Sequence, residues 1–238
     1  VDAVAASAGG NGERGVLADL PLHLHRHPTN RGMVPTWNVC LRLAFALNRG
    51  DWVCLLHDDD ELAPGALAAI RGVCAAADGP ALVAHTGGGD PADPVLRFSR
   101  REAGPESALA PPIIASGMAL HRQMFVESGG FDERFRYSAD LETFPRLCAR
   151  WPALVIENPP VVRYRLHGGN YQLHTWQQPD FWPQLAQIER GVAQYAGAET
   201  AARQWYLARM SAHRAHMLRT ALHLRRWRLA IRIWRIKV

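Results

Sequence analysis

The feature that most constrains the fold is a short apolar run that ends in a cluster of acids. Residues 52–56, WVCLL, are apolar without a break, and the segment HDDDE at 57–61 follows directly. Such a run indicates a strand buried on both faces, as in a parallel sheet. Because open α/β sheets bind ligands beyond the carboxyl ends of their strands, the acids at 57–61 are placed where a ligand would bind.

Strand and helix signals alternate along the remaining chain, which predicts a layered α/β fold with a mostly parallel central sheet. The periodicity predicts helices over 34–47, 64–77, 139–150 and 181–195, and strands over 22–27, 81–85, 154–156 and 161–166. Residues 113–121 are apolar and small. No Gly or Pro occurs from 198 to 238, so one or two long helices are expected there. We expect an α/β domain over 1–175 and a helical region over 176–238.

The composition limits the cellular setting. No stretch reaches about 18 uninterrupted apolar residues, so a membrane-spanning helix is not expected. The four cysteines lack CxxC spacing and are interpreted as reduced thiols of a cytoplasmic protein.

The acidic cluster contains three adjacent carboxylates, Asp58, Asp59 and Asp60. They repel one another, so the cluster costs stability unless a cation or hydrogen-bond donors compensate. Hard oxygen ligands at a strand end suit Mg²⁺ or Mn²⁺, which can also hold a substrate diphosphate. The alternative is a solvated acidic turn that caps the helix beginning near Pro64.

A second carboxylate site begins the helix predicted at 139–150, with Asp140 followed by Glu142 and Arg146. Asp140 can accept backbone N–H bonds at the helix start. If it also faces a pocket, it is a candidate general base, and the alternative is a simple N-cap.

A third cluster lies on the strand predicted at 161–166. Alternation places Arg163, Arg165 and His167 on one face, which suits a phosphate group. His167 offers an imidazole that could complete a metal site; the alternative is a structural histidine.

The order of these segments resembles that of family 2 glycosyltransferases of the GT-A fold, over about residues 1–170. The motifs that carry the resemblance are Asn30-x-Gly32, Asn38, HDDDELAPGAL, ASGMALHRQMF, GGFDERF, ADLETFPRL and YRLHGGN. The resemblance implies a Rossmann-like GT-A layered fold and inverting transfer of a sugar from a nucleotide-diphospho-sugar to a hydroxyl of a polysaccharide or glycolipid.

The resemblance also implies roles for individual residues. Asp58, Asp59 and Asp60 would hold Mg²⁺ or Mn²⁺ on the donor diphosphate, with His57 where many members have the first Asp. Asp140 would be the base, with Ala139 where the family often has Glu, and His167 would touch metal or diphosphate. The nucleotide-sugar side would be lined by Asn30, Gly32, Asn38, Asp58 and Arg165, and the sugar and acceptor pocket by Ser116, Gly117, Gly130, Phe131, Asp132, Glu142 and Arg146.

One departure from the family concerns the beginning of the chain. Family members begin with two strands, the second ending in an Asp-rich turn, whereas here the turn at 6–12 reads ASAGGNG without Asp. We expect either a truncated start or a degenerate nucleotide end. Two rival functions follow: a non-catalytic scaffold module, and a nucleotidyltransferase that would use the Gly9–Arg14 segment as a phosphate loop.

The end of the chain is basic. From Thr200 to Val238 there are ten basic residues and no acidic ones, which leaves 17 basic and 22 acidic residues in the remainder. Helical spacing places Arg225, Arg228, Arg232 and Arg235 in one stripe beside Leu224, Trp227, Ile231 and Trp234. This pattern over 220–238 predicts a helix on an anionic membrane at the inner face of the cytoplasmic membrane. The alternative is a helix packed on protein. The acidic remainder and the lack of a recognition motif argue against nucleic acid.

Overall fold

The computed structural model describes residues 22–85, 95–104, 114–165, 175, 178–196 and 201–235. Within these ranges seven helices occur: α1 Met33–Ala46, α2 Ala66–Ala75, α3 Arg122–Ser128, α4 Ala139–Cys148, α5 Phe181–Ala196, α6 Ala201–His223 and α7 Trp227–Arg235. The strands are β1 Trp52–Leu55, β2 Glu61–Leu62, β3 Leu82–His85, β4 Arg97–Arg101, β5 Met118–His121, β6 Ala153–Asn158 and β7 Val162–Arg163. The protein is therefore a mixed α/β protein.

The main sheet has five strands in the order β1-β5-β3-β6-β4, and β2 pairs with β7 in a separate small sheet. In the described part of the main sheet, β3 and β6 are parallel, while β1–β5, β3–β5 and β4–β6 are antiparallel. This differs from the mostly parallel sheet that the sequence predicted. The run at 52–56 was also predicted to be buried on both faces, but β1 is an edge strand of the described sheet, in which Trp52, Val53 and Cys54 are half-buried and Leu55 is buried. A continuous apolar run indicates neither the direction of a strand nor its place in the sheet.

Helices cover both faces of the main sheet. Along β3, Leu82 and Ala84 contribute to one apolar cluster, whereas Val83 contributes to the other. The second cluster contains the buried side of α2, and the first contains buried residues of the other six helices. The alternation of side chains along each strand thus separates two cores, which is the layered arrangement that the sequence predicted.

Two local predictions differ from the structure. The strand predicted at 22–27 forms neither helix nor strand, and its Leu22 and Leu24 are 76% and 57% exposed, because nothing in the described residues covers them. The glycine-free tail forms two helices, α6 and α7, as the sequence allowed, but the break between them falls at Arg225, which has a positive φ of 53° and so lies outside the helical stripe predicted for it. The N–H groups of Arg226 and Arg225 donate to the oxygens of Ala221 (2.8 Å) and Leu222 (2.9 Å). These two bonds form a Schellman C-cap built on a non-glycine residue.

The structure agrees with the predictions about membrane-spanning helices and about the cysteines. None of the helices in the described ranges is both long enough and apolar enough to cross a bilayer. All four cysteines lie in described residues, and each is a free thiol.

Candidate functional site

The strand ends define one edge of the sheet where chemistry-bearing residues meet. β1 and β3 are each antiparallel to β5, so they run in the same direction and their carboxyl ends lie at the same edge. This edge carries the HDDDE segment after β1, His85 at the end of β3, and Ser116-Gly117 just before β5. Ligands of α/β sheets bind at such an edge.

The Ser116-Gly117 turn holds the end of β1 in place. The Gly117 N–H donates to Leu55 O at 2.7 Å, and the His57 N–H donates to Ser116 Oγ at 3.3 Å. Gly117 has a φ of 81°, and a Cβ there would collide with Val162 and lie 3.2 Å from His85 Nε2. Only glycine fits this crowded, left-handed position. Ser116 and Gly117, predicted for the sugar pocket, therefore lie directly beside the first residue of the acidic segment.

Three side chains of that segment converge. His57, Asp59 and Asp60 can each offer a ligand atom, and these atoms lie within 4.8 Å of one another. Asp58 is exposed and is not part of this cluster. The sequence prediction named Asp58, Asp59 and Asp60 as metal ligands; the structure brings the last two together with His57, which that prediction did not include among the ligands. The signal was available, because His57 stands where the resemblance expects an acid and imidazole is itself a metal ligand.

The cluster contains two polar atoms that lack protein partners. Within the described residues, His57 Nε2 and Asp60 Oδ2 are buried and have no hydrogen-bond partner. Asp60 as a whole is 7% exposed, and its Oδ1 accepts the backbone N–H of Arg165 at 3.3 Å. Buried polar groups are almost always paired, so the unpaired atoms of two residues in this cluster fit a site for a cation. An imidazole beside two carboxylates suits Mn²⁺ better than Mg²⁺.

The aromatic rings behind the cluster fix the imidazole. The rings of His57 and Trp37 stack with centroids 4.9 Å apart and an interplanar angle of 11°. Trp37 belongs to α1 and also contacts Phe131, at 5.0 Å between centroids. The predicted pocket residue Phe131 thus supports the cluster from behind through Trp37.

The basic segment at β7 lies beside the same acids. Glu61 pairs with Arg163 across the β2–β7 ladder, and Arg165 Nη1 donates to Glu61 Oε1 at 3.2 Å. Burial, and then the charges of Asp60 and Asp59, raise the pKa of Tyr164. The Arg165 side chain is 60% exposed at this edge, and a guanidinium is a group that binds phosphate well. His167, predicted to complete the metal site, lies outside the described residues.

His85 is a buried member of the edge that sequence reasoning did not assign. It is 2% exposed, and its Nε2 lies 2.8 Å from Ser116 O. Because that partner is a carbonyl, Nε2 carries the proton and donates. Burial lowers the pKa of His85, while the Ser116 carbonyl and the charge of Asp60 act in the opposite sense. His85 therefore supports the Ser116-Gly117 turn as a neutral imidazole near neutral pH. The sequence feature that could have identified His85 as a residue of this edge is its position at the end of a buried strand.

Asp140 is the second residue of α4, which follows Ser138 in a left-handed conformation. The residue is partly exposed, but protein atoms surround its carboxyl group, and this desolvation raises its pKa. The backbone N–H groups of Leu141 and Asp140, and then the charge of His57, lower it. Asp140 therefore lies within electrostatic range of His57. We call His57, Asp59 and Asp60, the three residues that could hold a metal ion, the metal-ligand cluster.

Asn38 and Gly130 form a fixed joint between α1 and the loop before α4. Asn38 Oδ1 accepts the Phe131 N–H at 2.9 Å, and its Nδ2 donates to Phe131 O at 2.7 Å and Glu133 Oε1 at 3.0 Å. Gly130 has a φ of 80°, and a Cβ there would lie 2.6 Å from Asn38 Oδ1. The structure thus uses the Asn38 amide, which was predicted to line the nucleotide side, to hold this loop.

Glu142, which is buried, and Arg146, which is partly buried, form an ion pair at this joint. Arg146 Nε donates to Glu142 Oε1 at 2.7 Å, and its Nη atoms donate to Ser128 O (2.9 Å) and Gly130 O (2.8 Å). Asp132 pairs with Arg134, and the hydrogen bond from that arginine lowers the pKa of Asp132. These three predicted pocket residues all make contacts that hold the 128–134 loop.

Asn30 and Gly32 lie at the exposed start of α1. The Gly32 N–H donates to Asn30 Oδ1 at 2.8 Å, and Gly32 is the N-cap residue of α1. The structure therefore gives both residues a role in beginning the helix that carries Trp37 and Asn38.

Comparison with known proteins adds no assignment to this geometry. No protein-family model matches the chain, and no curated protein matches it.

Proposed function

We propose that the protein is an inverting glycosyltransferase of the GT-A type, which moves a sugar from a nucleotide-diphospho-sugar to a hydroxyl of a glycan or glycolipid. One observation carries the proposal. Three residues that can ligate a metal, two of which carry an unpaired buried polar atom within the described residues, lie at a sheet edge within electrostatic range of Asp140, whose pKa is raised. The layered α/β architecture and the motif order of the chain support it.

The cluster and its neighbours suit a diphosphate. His57, Asp59 and Asp60 would hold the divalent cation, which when bound supplies positive charge that stabilises a leaving diphosphate. The guanidinium of Arg165, which is 60% exposed and pairs with Glu61, lies at the same edge and is a group that binds phosphate oxygens. The Ser116-Gly117 turn, held by His85 and Leu55, provides a rigid wall next to the cluster.

Asp140 is assigned the role of general base. Displacement forms a bond from the acceptor oxygen to the anomeric carbon while the bond from that carbon to the diphosphate breaks. The proton of the acceptor hydroxyl passes to the Asp140 carboxylate. Desolvation makes this carboxylate more basic than an exposed one, and the nearby His57 favours its ionised form.

The test measures release of nucleoside diphosphate from a panel of nucleotide-sugars with Mn²⁺ and candidate hydroxyl acceptors. With a donor that is turned over, Asp140→Asn should reduce turnover by roughly 10² to 10⁴ while calorimetric binding of UDP with Mn²⁺ is kept. The matched control is Asp78→Asn, since Asp78 is exposed and pairs with Arg100 on β4, away from the cluster. Near-normal turnover by Asp140→Asn would refute the assignment of the base.

The same assay separates the rival functions. Release of pyrophosphate instead of a nucleoside diphosphate would identify a nucleotidyltransferase. The absence of both binding heat and a thermal shift with UDP and Mn²⁺ would favour a non-catalytic scaffold, because such a module has no need of the cation.

A further inference from the structure

Helix α7 has two apolar faces, and only one of them is covered. Ala230 and Ile233 are buried in the main core, at 4% and 0% exposure. Trp227, Ile231 and Trp234 are 62%, 51% and 71% exposed. At 100° per residue the three exposed side chains fall within about 60° of the helix circumference, so they form one row. We call Trp227, Ile231 and Trp234 the tryptophan row.

The tryptophan row is exposed even though α7 is packed against the rest of the protein. The buried side chains of α7 belong to the same apolar cluster as Met210 and Ala221 of α6, so α7 is docked on the protein. The turn that precedes it, closed by the two hydrogen bonds of the Schellman cap, exposes a further apolar side chain, Leu224, at 51%. A docked helix that leaves large apolar side chains outside favours a surface that binds something.

A second row, of arginines, borders the first. Arg228, Arg232 and Arg235 are exposed and lie about 100° around α7 from the tryptophan row, opposite to Ala230 and Ile233. Among the described residues, none of these three arginines has an acidic partner. No acidic residue occurs from Thr200 to Val238. The surface therefore combines an apolar strip with uncompensated positive charge.

The chemistry of the two rows favours a membrane over a second copy of the protein as the partner of this surface. A second copy of the same face would bring two arginine rows together, and their repulsion opposes a symmetric dimer. Tryptophan prefers the boundary between headgroups and acyl chains, where its ring is buried and its N–H stays in a polar layer. Arginine beside it is attracted to anionic headgroups.

We propose that α7 is a membrane-surface helix, which inserts the tryptophan row at the headgroup boundary of an anionic bilayer while Arg228, Arg232 and Arg235 contact lipid phosphates. The helix lies in the plane of the bilayer and remains attached to the protein through Ala230 and Ile233. This surface does not depend on the transferase proposal, because it shares no residue with the metal-ligand cluster.

The experiment is co-sedimentation of the full chain with vesicles of phosphatidylcholine alone, and of phosphatidylcholine with phosphatidylglycerol at about a 2:1 ratio. We expect binding to the anionic vesicles that weakens as salt is raised, and much weaker binding to the neutral ones. An arginine near an anionic surface contributes about fivefold in partitioning, so Arg228→Gln/Arg235→Gln should weaken binding by about 30-fold. The matched control, Arg49→Gln/Arg71→Gln, removes the same charge from exposed positions elsewhere and should bind as the wild type does.

The apolar contribution is tested with Trp227→Ala/Trp234→Ala, which should lose at least about tenfold in binding to anionic vesicles. Its control is Val126→Ala, which truncates a side chain that is 70% exposed on α3. Both tryptophans are exposed, so circular dichroism and thermal unfolding should remain near those of the wild type. If the tryptophan variant does not fold, the arginine pair and the salt dependence still decide the question.

Three results would overturn the proposal. They are no binding of the wild type to anionic vesicles, binding that neither double variant weakens, and concentration-dependent dimerisation that Trp227→Ala/Trp234→Ala abolishes while vesicles are not bound. The last result would assign the tryptophan row to self-association instead of lipid.

Discussion

The substitution Asp60→Asn tests the metal-ligand cluster, because it should raise the stability of the metal-free protein and lower its stabilisation by a cation. Asp60 is 7% exposed, and its Oδ2 lacks a partner within the described residues, whereas its Oδ1 accepts the Arg165 N–H. Asparagine keeps the shape and the acceptor at Oδ1, but it removes a negative charge that lies beside Asp59. Without a cation, we expect the variant to be more stable than the wild type by about 1 kcal/mol, which for a chain of this length raises the Tm by about 2–4 °C.

With Mn²⁺ bound, the wild type should become more stable than Asp60→Asn. At about 100 times the Kd, Mn²⁺ adds about 2.7 kcal/mol to the stability of a protein that binds it only when folded, which corresponds to a Tm increase of about 5–10 °C. Asp60→Asn should lose most of that increase. Differential scanning fluorimetry with and without Mn²⁺ measures both effects in one plate.

The neighbouring residue supplies the control. Asp58 is exposed and is not part of the cluster, so Asp58→Asn should leave both the metal-free Tm and the Mn²⁺-induced increase near those of the wild type. An equal Mn²⁺ response in the wild type and Asp60→Asn, or a lower metal-free Tm in Asp60→Asn, would refute the reasoning. Loss of the response in Asp58→Asn alone would move the site to the residue that the sequence motif predicted.

Three further perturbations have defined outcomes. Burial raises the pKa of Asp140 above its ordinary 3.8, so its protonated form stabilises the fold below that pH and the contribution is lost as the pH rises through the raised pKa. Metal-free urea titrations should show the wild type losing stability relative to Asp140→Asn over this window, and a constant difference would contradict the burial. Gly117→Ala places a Cβ against Val162 at a positive φ and should destabilise the protein by about 2 kcal/mol or more, with weaker Mn²⁺ binding in calorimetry; unchanged values of both would show that the turn is not tight. Arg225→Gly removes left-handed strain at the Schellman cap and should raise stability in urea by up to about 1 kcal/mol, whereas a loss would mean that the arginine side chain contributes more than its backbone costs.

Much of the fold could be predicted from local pattern. Helices α1, α4 and α5 are amphipathic segments with ends marked in the sequence, and they were placed within a few residues. The direction of β5 could not be predicted, since an apolar strand looks the same in parallel and antiparallel pairing. The position of the break at Arg225 could not be predicted either, because no glycine marks it. Two backbone hydrogen bonds stabilise the left-handed conformation of Arg225.

The site was predicted at the level of segments but not of every contact. The strand-end rule located the acids after β1, and the convergence of Asp59 and Asp60 there followed from it. Glu142 and Arg146 have the i,i+4 spacing that predicts an ion pair on a helix, and the structure shows that pair. The family motif had instead predicted that both residues line the acceptor pocket. Asn38 satisfies backbone groups 93 residues away, and His85 meets Ser116 across 31 residues. Such partners are set by tertiary packing, which no local pattern reports.

The stacking of His57 on Trp37 places one indole ring directly against the metal-ligand cluster. An indole whose face lies against an imidazole is sensitive to positive charge at that ring, whether from a proton or from a bound ion. Occupancy of the neighbouring ligand atoms should therefore quench one tryptophan selectively, and Trp37→Phe identifies the signal by difference. A metal titration of the wild type beside Trp37→Phe would then measure cation binding without a label.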